Sequence, residues 1–320
     1  MTMLPRTHGP MLHPRIAVLR RCNGLVQLGW DPGHAVVLRP PGPAEAVPAL
    51  LRLLDGVHTR SEILSHAGEL GFDAGTTRTL LDEMAAAGLL AREDTGSRLR
   101  TVRVHGRGPL SDALIEGLRR IGLRPSHSAP GHAATQRTVA NAQRTAPPDL
   151  VVLADALVPD PALVAELMRR RIPHLQVRIR DGRGVIGPLV LPGATSCLRC
   201  ADLHRCDHDP DWPHLCAQLL GRVGHLSPAG IAATAALALG EVETIAHGRD
   251  DRAPATLNST LELDLDSHHL EFRPWSVHPH CGCTEAADDG QEAAGAPPAT
   301  EIPSAEADPV ARGNSREALL

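Results

Sequence analysis

Apolar and polar positions alternate in three short pieces near the start of the chain, within residues 16–38. A period of two is typical of strands, because successive side chains point to opposite faces of a sheet. The turn signals Asn23-Gly24 and Asp31-Pro32-Gly33 separate the pieces. The pattern predicts a three-stranded antiparallel meander.

Helical spacing follows the meander, with apolar residues three and four positions apart. Thr59 and Glu62 have the spacing of a capping box, and Asp73 is the expected N-cap of a later helix. Three short helices after a meander predict a winged-helix-like module over residues 15–92. We expect residues 1–14 to form a flexible N-terminus.

The second half of the chain, residues 101–283, alternates strands with helices. The predicted elements are strand 101–105, helix 110–121, strand 150–155, helix 161–171, strands 173–180 and 184–191, a helix-rich stretch to 247, and a hairpin over 256–275. A β-α-β-α-β order predicts an α/β domain with an open, largely parallel sheet. Residues 124–143 show little strand character, because they are rich in Pro, His, Ala and Thr. The tail 284–320 lacks periodicity, which predicts disorder.

Charge and composition exclude several classes of protein. The net charge is −5, and the tail carries eight acids against two arginines, so the rest of the chain is close to neutral. This balance predicts no nucleic-acid partner, because a nucleic-acid-binding surface is basic. The chain contains no lysine, which excludes a Walker lysine and a Schiff-base lysine.

Targeting signals are absent from the sequence. The first twenty residues contain no apolar run of the signal-peptide type. The most apolar later stretch, residues 229–240, is shorter than the ~20 residues that a membrane-spanning helix needs. We therefore expect a cytoplasmic protein with no membrane partner. In that compartment, closely spaced cysteines indicate metal binding before disulfides.

Four of the seven cysteines form two close pairs, Cys197-x-x-Cys200 and Cys281-x-Cys283. Two chelating pairs that are far apart in sequence fit one tetrahedral S₄ zinc ion, which ties two segments together and contributes to the folding free energy. Gly282 permits the tight backbone that a one-residue spacer requires. The spacing predicts a structural Zn²⁺ site on these four thiolates.

Other roles for the cysteines stay open. They can be unligated buried thiols, or the first pair can be a redox C-x-x-C motif. A third possibility is that Cys206 and Cys216 complete a local metal site with the first pair. His204, His208 and His214 lie nearby, but no H-E-x-x-H carboxylate accompanies them, so we interpret them as surface histidines.

A glycine loop, Gly106-Arg107-Gly108, lies between a predicted strand and a predicted helix. In a doubly wound α/β fold, backbone N–H groups hold a nucleotide phosphate at this place. Here Pro109 removes one donor, and Ser111 stands where a third glycine is expected. No acid follows at residues 124–135 to bind a ribose hydroxyl. The loop predicts a vestigial nucleotide site, and we expect ATP not to bind.

Residues 187–205, GPLVLPGATSCLRCADLHR, and residues 278–283, HPHCGC, resemble sequences of E1-like adenylyltransferases of the ThiF/MoeB type. A winged-helix-like module before a shortened E1-like domain is similar to the ThiF-like proteins of azoline-forming peptide maturation. These are cyclodehydratase components or leader-peptide-binding proteins in the biosynthesis of ribosomally made, modified peptides (RiPPs), including bacteriocins. The resemblance implies a peptide-recognition module over 15–92 and a degenerate Rossmann-like E1 domain with a Cys₄ zinc site over 101–283.

Several residues of an active E1-like enzyme have no counterpart in this chain. Only Gly106, Gly108 and Asp155 match its glycine loop and its Mg²⁺-binding aspartate, and its phosphate-binding lysine is missing. The resemblance therefore implies a non-catalytic scaffold that binds a precursor peptide and presents it to an ATP-dependent YcaO-type cyclodehydratase. It also implies a homodimer, as in E1-like proteins.

The candidate peptide-binding surface combines a strand edge with a helix face. Backbone groups along an unpaired strand can pair with an extended peptide, and neighbouring side chains then select its residues. We expect Leu80 to be a core residue and Thr77 to be an exposed polar residue. The complete predicted surface consists of Ala35, Val36, Val37, Leu38, Thr77, Leu80, Leu81 and Met84.

Two other functions stay open. An ATP-dependent adenylyltransferase needs a working nucleotide site. A winged-helix DNA-binding regulator needs a basic surface, whereas residues 1–100 carry 11 arginines against 10 acids.

Overall fold

The computed structural model describes residues 9–38, 43–91, 98–129, 147–247 and 253–284. The predicted disordered tail lies outside these ranges, apart from its first residue. Buried apolar side chains form one cluster in the N-terminal module and two clusters in the later α/β domain. The two parts of the chain therefore each have a core of their own.

The N-terminal module begins with a small antiparallel sheet in the order β2-β3-β4, which confirms the predicted meander. Its strands are β2 (Val18–Arg20), β3 (Val26–Leu28) and β4 (Val36–Leu38). Among the described residues β4 pairs only with β3, so it forms an edge of this sheet. The helices that follow are α1 (Val47–Arg52), α2 (Arg60–Glu69) and α3 (Ala74–Ala86).

The predicted helix caps are present at α2 and α3. The Thr59 hydroxyl accepts the N–H of Glu62, and the Glu62 carboxylate accepts the N–H of Thr59. The Asp73 carboxylate accepts the N–H of Thr76. Each cap satisfies a backbone donor that the first turn of a helix leaves without a partner.

Residues 9–14 are part of the module, so the expectation of a flexible N-terminus up to residue 14 is wrong. Strand β1 (Met11–Leu12) pairs antiparallel with β5 (Leu90–Ala91), which follows α3. The side chain of Met11 is buried. Two-residue strands carry too little periodicity to be recognised from sequence, which is why the pattern missed this pair.

The α/β domain is built on a seven-stranded sheet in the order β12-β11-β10-β9-β8-β6-β7. Strands β7, β6, β8 and β9 run parallel, whereas β9, β10, β11 and β12 pair antiparallel. The strands are β6 (Thr101–His105), β7 (Arg124–Ser128), β8 (Leu150–Asp155), β9 (His174–Arg180), β10 (Arg183–Val190), β11 (Ser259–Asp264) and β12 (His269–Pro274).

The sheet is only half parallel, so the expectation of a largely parallel sheet is wrong. A two-residue turn, Asp181-Gly182, joins β9 to β10, and both residues have positive φ. Such a turn can connect only antiparallel neighbours, because a parallel connection needs a crossover of a dozen or more residues.

Strand β7 lies in the region predicted to have little strand character. It forms the outer edge of the sheet and pairs with β6 alone among the described residues. An edge strand tolerates Pro125, because a proline has no N–H to donate to a second neighbour. The later part of that region, residues 130–146, lies outside the described residues.

Helices cover both faces of the sheet. On one face, α4 (Pro109–Arg120) and α8 (Pro228–His247) pack into the larger core cluster. On the other face, α5 (Pro161–Arg169) and α6 (Leu198–His208) bury apolar residues together with two of the strands. A short helix, α7 (Trp212–Leu219), follows α6.

Helix α8 is longer than its apolar stretch at 229–240 predicted. With 20 residues and a mean hydropathy of 1.3, it is the one described helix long and apolar enough to cross a membrane. Ile231, Ala235, Ala238 and Val242 are buried in the core cluster that α8 shares with α4. This placement is typical of a core helix.

His174 makes the folded protein sensitive to acid. Its ring is fully buried and donates to the carbonyl oxygen of Ile172, and burial lowers its pKa to about 4. An unfolded histidine has a pKa of about 6.5, so between these values the unfolded chain binds a proton that the folded chain does not. The free energy of unfolding should therefore fall as the pH drops from about 6.5 to 4.

We expect the His174 contribution to this loss to be about 3 kcal/mol. Urea unfolding at pH 7 and at pH 4.5 measures it as a difference between the wild type and His174→Gln. His208→Gln changes an exposed histidine and serves as the control. Equal acid destabilisation of the wild type and His174→Gln would contradict the assignment.

Candidate metal centre and glycine loop

The structure brings the four paired cysteines together. Their Sγ atoms all lie within 4.8 Å of one another. The Sγ distances are 3.5 Å for Cys197–Cys281, 3.5 Å for Cys200–Cys283 and 3.8 Å for Cys197–Cys200. A tetrahedral ion with Zn–S bonds of about 2.3 Å places its sulfur ligands about 3.8 Å apart. The group therefore has the geometry of a four-thiolate metal site.

Local backbone structure positions each pair of cysteines. Cys197 is the N-cap of α6, and Cys200 lies in the first turn of that helix. The second pair follows β12, and Gly282 between its members has a φ of +66°. The N–H of Cys281 donates to the carbonyl oxygen of His278. These constraints direct four side chains to one point, although the two pairs are far apart in sequence.

Burial controls the protonation of the cysteine centre. It raises the pKa of Cys197 to about 12 and that of Cys281 to about 11. It likewise raises the pKa of Cys283 to about 12. A redox C-x-x-C motif uses one pair of cysteines, so the convergence of all four thiols argues against that alternative. A bound metal ion would replace the thiol protons.

Cys206 and Cys216 are not part of this group. They lie on α6 and α7, and both side chains are half-buried. The group of four cysteines in the described residues consists of the two sequence pairs alone. The structure therefore favours the site that spans the domain over the local alternative.

The expectation of surface histidines holds for His208 and His214 and is wrong for His204. The ring of His204 is half-buried, with its Nε2 3.1 Å from the carbonyl oxygen of Ser276. It contacts the ring of His278, whose Nε2 lies 2.8 Å from the Asp207 carboxylate. This group lies beside the cysteine centre, and one ring nitrogen each of His204 and His278 and a carboxylate oxygen of Asp207 lie within 4.8 Å of one another. Sequence spacing could not reveal it, because His278 is 74 positions after His204.

The glycine loop lies at the topological switch point of the sheet. The next strand along the chain, β7, pairs with one side of β6. The strand after that, β8, pairs with the other side of β6. Ligands of open α/β sheets bind at the carboxyl ends of the strands at such a point. The loop follows β6, and Gly108 is the N-cap of α4.

The carboxylate of Asp155 fills the position where a phosphate is expected. Its Oδ1 accepts the N–H of Leu110 at 2.9 Å. Its Oδ2 accepts the N–H of Ser111 at 3.2 Å and the Ser111 hydroxyl at 2.6 Å. Asp155 is 1% exposed and has a φ of +69°. The N-terminus of α4, where positive partial charge concentrates, therefore already holds an anion from the chain itself.

Both loop glycines make room for this carboxylate. A Cβ at Gly108 would lie 2.6 Å from Asp155 Oδ1. A Cβ at Gly106 would lie 2.6 Å from the Ala154 carbonyl oxygen and 2.9 Å from Asp155 Oδ2. The resemblance assigned Asp155 to a vestigial nucleotide site, whereas in the structure its carboxylate caps α4.

The predicted peptide-binding residues are distributed over a strand edge and a core. Ala35, Val36, Val37 and Leu80 are half-buried. Leu38, Leu81 and Met84 are buried in the core of the module. Thr77 is 1% exposed, and its hydroxyl donates to the carbonyl oxygen of Asp73, so the expectation of an exposed Thr77 is wrong. Leu80, which we expected in the core, is the more accessible residue of the helix face.

Comparison with known proteins identifies the fold. No protein-family model and no curated protein matches the chain. The heterocyclase TruD matches with a TM-score of 0.58 and 16% identity, over 86% of this chain and 42% of TruD. A heterocyclase in complex with substrate and cofactor matches with a TM-score of 0.59 and 18% identity, over 86% of this chain and 39% of the heterocyclase. E. coli MccB with AMPCPP and MccA matches with a TM-score of 0.56 and 12% identity, over 86% of this chain and 99% of MccB.

The chain has an E1-like fold. At 12–18% identity, the likeness to these structures concerns the fold alone. The E1-like chain spans about two fifths of the length of the two heterocyclases and nearly all of MccB. MccB is described as a microcin C7 biosynthetic enzyme, and one of its structures contains N-formylated MccA.

The cysteine centre predicts a metal ion that depends on both cysteine pairs. Cys197→Ser and Cys283→Ser should each lose most of the bound zinc and much of the folded yield, because three thiolates leave the coordination shell incomplete. Cys206→Ser should keep both. Metal analysis of the purified proteins by mass spectrometry measures the zinc content. Full zinc retention in Cys283→Ser, together with loss in Cys206→Ser, would place the site in the local cluster instead.

The cap formed by Asp155 predicts a stability effect that differs between two acids at the N-terminus of α4, one from β8 and one from the helix itself. Asp155→Ala should lower the free energy of unfolding by about 3 kcal/mol, because it leaves buried N–H donors without an acceptor. Asp112→Ala removes an exposed acid from the first turn of α4 and should cost below about 1 kcal/mol. Urea unfolding at pH 7 compares the two. Equal losses would show that charge at the helix end, rather than the buried cap, stabilises α4.

Proposed function

We propose that this protein is a leader-peptide-binding scaffold in RiPP biosynthesis, of the thiazole- and oxazole-forming kind. Its N-terminal module binds a precursor peptide, and its E1-like domain docks an ATP-dependent YcaO-type cyclodehydratase. The single observation that carries the proposal is the edge strand β4. Among the described residues it pairs with β3 on one side only, so its other side offers backbone donors and acceptors to an extended peptide.

The surroundings of β4 support strand addition. On one face of the sheet, Val36 and Leu38 turn towards the module's core, so Val37 turns to the opposite face. A peptide added beside β4 would therefore meet a half-buried valine on the outer face and core-facing residues on the other. MccB, which has a similar fold, is solved in complex with MccA.

A separate enzyme partner is part of the proposal. The chain matches 42% of the heterocyclase TruD, and we assign the remaining functions of such a heterocyclase to the YcaO-type protein. The protein is cytoplasmic on this proposal, and it works as a homodimer. The structural zinc ion on Cys197, Cys200, Cys281 and Cys283 holds the E1-like domain in shape for docking.

The state of the glycine loop supports a non-catalytic role. A nucleotide phosphate at the N-terminus of α4 would have to displace the Asp155 carboxylate and would lose the attraction of that helix end. Solved structures of MccB contain ATP or AMPCPP. For this reason an ATP-dependent adenylyltransferase is the alternative function. Nucleotide binding separates the two.

ATP should bind this protein more weakly than about 1 mM, because the anion position is filled. Isothermal titration calorimetry of the full chain with ATP and Mg²⁺ measures the affinity, and MccB serves as a positive control. A dissociation constant in the micromolar range, or pyrophosphate exchange with any peptide, would establish the adenylyltransferase and reject the scaffold.

Leu80 provides the test of peptide binding, since Thr77 is buried. Leu80→Arg should weaken the binding of a leader peptide by about 1–3 kcal/mol, because it places a charge beside the proposed groove. Val57→Arg adds the same charge at an exposed apolar residue outside β4 and α3 and should leave the affinity unchanged. Fluorescence anisotropy of the full chain uses labelled peptides encoded beside its gene. No binding below ~100 μM by the wild type would reject the recognition role.

A further inference from the structure

A second cluster of charged residues lies on the face of the sheet that α5, α6 and α7 cover. Four arginines form it: Arg178 and Arg180 on β9, Arg205 on α6 and Arg273 on β12. We call it the arginine cluster. Neither the zinc site nor the peptide-binding module accounts for it.

The arginine cluster has more cations than anions. Glu262, whose side chain is buried, pairs with both Arg180 at 2.6 Å and Arg273 at 3.0 Å. Asp202 pairs with Arg205 at 2.9 Å. Four guanidinium groups therefore have two carboxylates within ion-pair distance among the described residues. An excess of two positive charges is unfavourable in a partly buried place unless a further anion joins it.

Arg178 is the cation without a counterion. It is 9% exposed, and no described carboxylate lies within ion-pair distance of it. Its Nη1 donates to the carbonyl oxygen of Leu157, and its Nε has no hydrogen-bond partner among the described residues. Burial, with the neighbouring Arg205 and Arg180, lowers the pKa of Arg178 to about 10, so the group is charged at neutral pH. A buried charge in this state costs several kcal/mol without an acceptor.

Gln176 adds a second unused donor on the same face. It precedes Arg178 by two residues on β9, so both side chains point to one side of the sheet. Its Nε2 is buried and has no partner among the described residues. Two neighbouring donors without acceptors are rare in folded proteins, and together they fit a ligand that is rich in acceptor atoms.

The position of Arg178 is suited to ligand binding. It stands opposite Asp155 near the carboxyl end of β9, where open α/β sheets bind their ligands. Asp202, which pairs with Arg205, also lines a cavity of 780 Å³ between α5 and the cysteine centre. At the outer side, Arg180 and Arg273 reach solvent. Arg205 is held between Trp212 and Trp275, with ring distances of 5.2 and 4.9 Å, which fixes its guanidinium.

We propose that the arginine cluster binds an oxyanion, a phosphate or a carboxylate group, with Arg178 and Gln176 as its inner donors and Arg180 at its entrance. Guanidinium groups present paired N–H donors that match both kinds of oxyanion. This site is separate from the glycine loop, where the Asp155 carboxylate already occupies the helix end.

Thermal unfolding of the full-length, metal-loaded protein tests the proposal with inorganic phosphate as the probe. The wild type should gain more melting temperature in sodium phosphate over sodium chloride of equal ionic strength than Arg178→Gln and Arg180→Gln do, because the general stabilisation by phosphate acts on all of them and only a bound ligand distinguishes them. Citrate in a parallel series tests the carboxylate source. Arg178→Gln and Arg180→Gln should remove the phosphate-specific gain.

Arg120→Gln is the matched control, because it removes the same charge from an arginine on α4, on the opposite face of the sheet, that pairs with Glu116. It should keep the gain. Equal melting temperatures of the wild type in chloride, phosphate and citrate would overturn the proposal, as would a full gain in Arg178→Gln. If Arg178→Gln does not fold, equilibrium dialysis of Arg180→Gln against labelled phosphate decides. Wild-type uptake that is lost in the variant supports the site, and equal uptake overturns it.

Discussion

The convergence of four thiols, three of them buried and one half-buried, is the constraint on which the later half of the molecule depends. Cys197 and Cys281 are 84 residues apart, yet their sulfur atoms are 3.5 Å from each other. This contact fixes the start of α6 against the segment that follows β12. Trp275, His278 and the stacking partner Arg205 take their positions from those two segments. A metal ion at this centre therefore acts on the arrangement of a whole layer of side chains, and not only on its four ligands.

Two polar groups in the α/β domain show how differently charge can be buried. Asp155 is satisfied by three donors, two of them from the N-terminus of α4, so its burial stabilises the fold. Arg178 lies near it on the neighbouring strand with a single donated hydrogen bond. The Asp155 carboxylate needs no partner from outside the chain. The Arg178 guanidinium is stable only if another group supplies negative charge.

Much of this structure was predictable from sequence because the determining signals are local. The meander, the capped helices α2 and α3, and the strand before the glycine loop each follow from residues within a few positions of one another. The cysteine tetrad was also predictable, since two chelating pairs have one common explanation. Its metal identity rests on donor chemistry alone.

The signals that the sequence could not provide are those that depend on distant partners. Thr77 looks like a surface residue in the pattern, but the tertiary structure buries it. Strand β7 has weak intrinsic preference, and its place at the sheet edge decides its structure. Nothing in the sequence around Asp155 shows that its carboxylate turns back onto Leu110 and Ser111. Arg178 and Glu262 are 84 positions apart, so the imbalance of charge around them is a property of the folded state.

The close fit of Gly106 and Gly108 against Asp155 has a consequence for the history of such proteins. Either glycine would be retained by selection for folding even after every contact with a nucleotide had disappeared, because any larger residue would collide with the carboxylate or its backbone. A glycine fingerprint can thus outlive the activity that first required it. A nucleotide phosphate at this helix end would first have to move an aspartate, since the space that the glycines leave is already filled.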